Sequence, residues 1–210
     1  MRVSKPHEER KNEILDIAEK LFVNNGYDKT SVNQILEKVG IAKGTFYYYF
    51  KSKEEVMDSI IERYNERYLK IAQMNAADKT LNIHERLLKT LMSIQVKENQ
   101  DIEILNEIHK PHNALMHQKM MSLMVRGLTP ILTDIVEDGI KEKIFDTPYP
   151  QEVVEMIIIY VNAAFDEGIV EVSMDNIERK IKAFITNIER LLGAEKGSLS
   201  YILNLFEGNK

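Results

Sequence analysis

Cysteine is missing from all 210 residues, which excludes disulfides, thiolate metal sites and cysteine nucleophiles. No apolar run reaches the roughly 18 residues that a membrane-spanning helix needs. The densest one, MIIIYV at 156–161, is far shorter and directly follows Glu155. The opening stretch, MRVSKPHEERKNE, has no apolar core of the kind that directs secretion, so a cytoplasmic location is expected. Proline is scarce and confined to positions 6, 111, 130, 148 and 150, which leaves long stretches free to be helical. Nothing reads as a strand, and no repeat or low-complexity tract occurs. Glycine-rich phosphate loops, His-Glu-x-x-His and Gly-x-Ser-x-Gly are all absent, and with them the simplest signals of catalysis. The last absence is local. The chain carries 33 acids against 28 bases, yet residues 38–53 hold four lysines and no acid.

That segment belongs to a basic end on an acidic body. Residues 1–53 contain ten Lys/Arg and seven Asp/Glu, whereas the remainder contains 18 and 26. Such asymmetry is the footprint of a DNA-reading module joined to something else. A 44% hydrophobic fraction supplies a core and 29% charged residues a soluble surface.

Helical periodicity recurs through the basic end. Ile14, Ala18, Leu21 and Phe22 form one stripe of a helix from about Pro6 to Asn25, stopped at Gly26. Ser31 and Gln34 have the spacing of a capping box that opens a second, short helix, with Val32, Ile35, Leu36 and Val39 as its stripe. Gly40 ends it, and a third helix starts about two residues later. At 100° per residue, Ala42, Phe46, Tyr49 and Phe50 share an inward arc of about 100°. Gly44 and Lys51 point the opposite way, flanked by Lys43, Tyr47 and Tyr48. Two short helices joined by a tight glycine turn form a helix-turn-helix, whose second helix lies in a DNA major groove. Glycine permits close approach, tyrosine hydroxyls bond phosphate, and an acid there would be repelled. Ser52 and Glu55 then cap a fourth helix running to about Met74, with Lys53 in its first turn, in position for another phosphate.

The stretch TSVNQILEKVGIAKGTFYYYFKSKEEV at 30–56, extended back through ILDIAEKLFVNNGYDKTSV at 14–32, resembles the DNA-binding domain of the tetracycline-repressor (TetR) family. Tyr49 is a departure, since many relatives carry histidine there. The resemblance implies DNA contacts from Ser31, Lys43, Gly44, Thr45, Tyr47, Tyr48 and Lys53. Thr45 rests on the resemblance alone, because on the helical wheel it lies at the edge. It also implies an all-α fold of nine to ten helices. A helix-turn-helix domain at 1–53 would precede a helical ligand-binding and dimerisation domain at 54–210.

Beyond residue 75 the pattern predicts helices near 82–98, 101–113, 115–143 with a break at Gly127–Pro130, 150–168, 174–193 and 198–206. FDTPYP at 145–150 reads as a loop. The helix from 150 is apolar nearly all round, and the next has a long seam. Val154, Ile157, Ile158, Val161, Ile181, Phe184, Ile185 and Ile188 are therefore either a buried pair within one chain or a dimer interface. The resemblance favours the second, as a four-helix bundle across a two-fold axis. His109, His112, Met116, Met120 and Met124, with Tyr64, Tyr68 and Tyr160, are candidates to line an effector pocket, methionine being adaptable in shape. His109 and His112 also have a metal-compatible spacing, but Pro111 intervenes. The reading carried forward is a DNA-binding regulator, most simply a repressor. It acts as a homodimer on a near-palindromic operator and is released by a small-molecule effector, with no cofactor, metal or catalytic residue. The alternative is a helical-bundle enzyme or metal-binding protein centred on His109, His112 and His117, which leaves the acid-free tyrosine helix unexplained.

Overall fold

A computed structural model describes residues 6–94, 113–165 and 174–207. The regular structure among them is all helical: α1 (His7–Asn25), α2 (Val32–Val39), α3 (Lys43–Tyr49), α4 (Lys53–Ala77), α5 (Ile83–Ser93), α6 (Ala114–Lys141), α7 (Pro150–Phe165) and α8 (Met174–Leu192). A 3-10 turn at Ser200–Leu203 and a one-turn helix α9 (Asn204–Glu207) follow. The chain divides into two compact units, residues 1–66 with 97–122 and residues 67–96 with 123–210. The helix predicted at 101–113 lies outside the described residues except for Asn113.

The first unit is organised by short-range rules. Ser31 Oγ accepts from the Gln34 N–H at 3.2 Å and Gln34 Oε1 accepts from the Ser31 N–H at 2.7 Å, the reciprocal cap read from the spacing. Gly40 closes α2 with φ +73°, a left-handed turn that most side chains resist. Thr30, nearly fully buried, donates its hydroxyl to the carbonyls of Leu21 and Gly26 at 3.1 and 2.9 Å, tying the α1–α2 loop to the end of α1. The core includes Ile14, Leu15, Ala18, Phe22 and Val23 of α1, Ile35 of α2, Phe46 and Phe50 around α3, and Val56, Met57, Ile60 and Ile61 of α4. Leu21, placed on the inward stripe by periodicity, is only half-buried, and Leu15 is buried instead.

In the second unit a single apolar cluster gathers Ala72 and Ala76 of α4, Leu87 of α5, Leu128, Leu132 and Ile135 of α6, Val154 and Ile158 of α7, and Ile181, Phe184, Ile185 and Ile188 of α8. One expectation is corrected here. α6 does not break at Gly127–Pro130 but runs through as one helix. Pro130 is exposed, so water can satisfy the Arg126 carbonyl that loses its usual donor. Gly127 is packed, for a Cβ there would come within 2.2 Å of Leu69. Pro150 closes the predicted loop and, as the predicted helix start requires, is the first residue of α7, where the missing N–H costs nothing.

Arg86 fastens the end of α4. Only 2% exposed, it donates from Nε and Nη2 to the Ala76 carbonyl at 2.8 and 2.6 Å, and from Nη1 to Asp138 at 2.9 Å. That carbonyl is one of the acceptors a helix end leaves open. Hydrogen bonds from Lys79, Arg86 and Lys141 hold the Asp138 carboxyl well below the usual carboxylate range.

Candidate nucleic-acid interface

α3 sorts its side chains as the periodicity requires, except that Ala42, placed on the inward arc, is exposed: it is the extended residue ahead of the first helical turn, where a spacing of 100° per residue does not yet apply. Phe46 and Phe50 are fully buried, while Tyr47 and Tyr48 are 48% and 71% exposed. Ala42, Lys43 and Gly44 are exposed with them, and Thr45 is half-buried. A Cβ built at Gly44 meets nothing within 4 Å, so nothing among the described residues requires glycine there. Its value is the clearance it leaves for something outside. The Lys43 ammonium lies 5.9 Å from the centre of the Tyr47 ring. Tyr49 is half-buried and packs edge-on against Tyr48, ring centres 5.0 Å apart.

Two predicted contact residues have intramolecular roles as well. Ser31 is exposed, but its hydroxyl serves the α2 cap. Lys53 donates from Nζ to the Tyr27 carbonyl at 2.7 Å, with the ammonium 4.0 Å from the centre of the Tyr27 ring. The acids that follow Lys53 are both engaged. Glu55 accepts from the Lys51 N–H, one residue before the partner its spacing suggested, while its own N–H goes to Ser52 Oγ at 3.1 Å. Glu54 accepts from Lys119 at 2.8 Å, and Lys119 also reaches Asp58 at 2.5 Å. This hydrogen bond lowers the Glu54 pKa. Neither acid is left without a partner beside α3.

Three further residues enter through the fold. Asn113, just ahead of α6, accepts from the Tyr27 N–H at 3.3 Å, so Tyr27 is held at its N–H by Asn113 and at its carbonyl by Lys53. Lys119 fixes the first turns of α4. His7 packs on Tyr49 and Tyr48, with ring centres 4.8 and 5.7 Å away. No local pattern marks them, because each partner is dozens of residues distant in the chain.

The proposed effector residues fall in both units. Tyr64 donates its hydroxyl to Glu19 at 2.6 Å. Glu19 is also paired with Arg63 at 2.6 Å, and Arg63 with Asp16 at 2.7 Å, which ties α4 to α1. Met116 and Met120 are buried in the first unit, whereas Met124 packs on the core of the second. Tyr68 accepts from Arg67 at 2.9 Å, and Tyr160 stacks on Phe184 with ring centres 5.4 Å apart. His109 and His112 lie outside the described residues. His117 is half-buried in the first turns of α6.

The residues expected to pair two copies pack within one chain. Val154, Ile158, Ile181, Phe184, Ile185 and Ile188 are buried inside the chain's own core, and Ile157 and Val161 pack at its margin. The exposed apolar side chains of α7 are instead Met156, Ile159 and Tyr160, at 57%, 49% and 46%, with Leu191 of α8 at 40%. An all-round apolar helix has an inner and an outer face, and only packing tells them apart.

A helix-turn-helix whose second helix turns a lysine- and tyrosine-lined, acid-free face outward defines a DNA-binding transcriptional regulator rather than an enzyme. Residues 14–60 match the bacterial regulatory proteins of the tetR family, and residues 95–187 a tetracyclin repressor-like C-terminal domain. The chain is 27% identical over 162 residues to YhgD, an uncharacterized HTH-type transcriptional regulator of Bacillus subtilis, covering 75% of this chain and 84% of that one. It is 23% identical over 131 residues to the fatty acid metabolism regulator protein of the same bacterium, covering 61% and 67%. Its fold is shared with SmeT, the repressor of the Stenotrophomonas maltophilia multidrug efflux pump SmeDEF, at a TM-score of 0.65 and 19% identity over 89% and 91% of the two chains. The protein belongs to the tetR family of bacterial regulatory proteins.

Proposed function

We propose that the protein is a homodimeric repressor in which residues 1–53 read DNA and residues 54–210 bind an effector and the second copy. Two copies insert α3 into successive major grooves about 34–36 Å apart, so the operator is a near-palindrome. The observation that carries this reading is the outward face of α3, with Lys43, Gly44, Tyr47 and Tyr48 exposed and no acid from residue 38 to 53. Lys43, Tyr47 and Tyr48 supply contacts in and beside the groove, Gly44 and Thr45 allow close approach, and Ser31 and Lys53 meet phosphates. Among the described residues no helix is long and apolar enough to cross a membrane.

The second copy is placed on the outer face of α7, where Met156, Ile159 and Tyr160 are exposed together. Association there buries three large side chains that the single chain leaves in water. The effector is a small molecule with an apolar body, bound among the helices of 54–210. The fatty acid metabolism regulator among the relatives makes acyl compounds the first probes to try. Release requires that the effector bind the DNA-free form better, and DNA must then weaken effector binding by the same factor.

The test is selection of duplexes from a random-sequence pool. The expected product is a palindrome with half-site centres about 10–10.5 base pairs apart or a multiple of that. Recovery of no preferred sequence, or of a single unpaired half-site, refutes the reading.

A further inference from the structure

We propose that His7 is part of the DNA interface, where its imidazole takes up a proton as DNA binds and donates Nε2–H to a backbone phosphate. This rests on the reading of α3 as the groove-entering helix. His7 is the first residue of α1, yet its ring lies against α3, 4.8 Å from Tyr49 and 5.7 Å from Tyr48 between ring centres. Tyr48 in turn meets Tyr49 edge-on. The three rings form one group whose outer member, Tyr48, is 71% exposed on the DNA-facing side. His7 itself keeps 54% of its side chain in solvent. A group in edge contact with a residue at the flank of the groove-entering helix lies beside the phosphate strand bordering that groove.

The chemistry follows from one contact. His7 Nδ1 is 3.2 Å from Glu8 Oε1. An ionised carboxylate only accepts, so Nδ1 carries the hydrogen, and in the neutral ring Nε2 presents a lone pair. A lone pair cannot bond a phosphate oxygen. One proton from solvent makes Nε2 a donor and the ring a cation, and both favour the phosphate. Among the described residues, the groups facing this imidazole are Glu8 on its own helix and the phenols of Tyr48 and Tyr49 on α3. By linkage, a site that gains a proton on binding binds more tightly as pH falls. The limiting slope is about one proton per protomer, across the pH 5 to 8 range in which imidazoles change charge.

His7→Phe keeps a flat ring for Tyr48 and Tyr49 and removes the proton site, while His7→Ala removes both. The probe is the duplex that the wild-type protein selects from a random pool, titrated at pH 6 and pH 8 over 50–200 mM salt. Wild type is expected to bind about tenfold more tightly at pH 6, with a salt slope steeper there by about 0.9 for each added phosphate contact. His7→Phe should match wild type at pH 8 and lose both differences. His7→Ala should be weaker at both pH values, with a melting temperature that shows the module still folded. The histidines common to all three proteins cancel in the comparison. A His7→Phe variant that keeps the wild-type pH and salt dependence overturns the proposal. A wild-type protein that selects no duplex refutes the DNA-binding reading itself, and this inference with it.

Discussion

Replacing Lys53 with alanine separates what this side chain does for the fold from what it does for DNA. In the free protein its ammonium donates to the Tyr27 carbonyl at 2.7 Å and sits 4.0 Å from the Tyr27 ring centre. A hydrogen bond from a charged donor contributes about 1.5–3 kcal/mol, and an ammonium over an exposed ring about 0.5–1 kcal/mol. Lys53 is only half-buried, so the lower ends apply and the expected loss is about 2 kcal/mol. For a chain of this size that is a fall in melting temperature of about 4–8 °C. An ammonium has three N–H groups. One is committed to Tyr27, leaving two to meet a phosphate without breaking that contact. Lys53→Ala should therefore also make the slope of log K against log salt shallower by about 0.9 per protomer, while the ranking of single-base operator variants stays as it was. Thermal unfolding without DNA and anisotropy titrations at several salt concentrations read the two effects separately. An unchanged melting temperature refutes the Tyr27 role, and an unchanged salt slope or an altered ranking refutes the phosphate role.

Phe46→Ala should cost roughly 3–5 kcal/mol, as expected for a fully buried phenylalanine. Tyr47→Ala, at a half-exposed position, should leave the melt nearly unchanged and weaken DNA binding; equal melting losses would show that the two faces of α3 are misassigned. Ile159→Glu should split the dimer in sedimentation while circular dichroism stays helical. Ile158→Glu, by contrast, puts a charge into the chain's own core and should unfold the second unit; a folded dimer from both variants refutes the outer-face interface. The depressed Asp138 carboxyl, held by Lys79, Arg86 and Lys141, contributes stability that is complete above the ordinary aspartate pKa of about 3.9 and is lost as pH falls from there. Asp138→Asn should therefore be less stable than wild type at pH 7, and the gap should narrow in acid urea titrations. A gap that stays constant from pH 7 to pH 3 refutes that role.

The sequence by itself determined those features whose physics is settled within one or two helical turns. The Ser31–Gln34 cap needs only residues three apart. Gly40 turns the chain because a left-handed φ suits glycine. Phe46 and Phe50 face inward because a four-residue spacing returns to the same side of a helix. The outward face with Gly44, Tyr47 and Tyr48 is the complement of that stripe, so it could be read in the same way. Hydrophobic period also announced α7 and α8 as helices with much apolar surface. It could not say which side of α7 meets its own chain, because Ile158 and Ile159 are equally apolar and differ only in what lies alongside them. Pro130 was misread for a similar reason. The rule that proline breaks a helix assumes the freed carbonyl has no other partner, and exposure, which tertiary structure decides, supplies water. The contacts that hold the DNA-binding module are likewise absent from any local pattern: Lys53 with Tyr27, Asn113 with Tyr27, Lys119 with Glu54 and Asp58, and His7 with Tyr49. Most join residues tens of positions apart, where no periodicity operates. Only the packing of one helix against another brings such side chains within bonding distance.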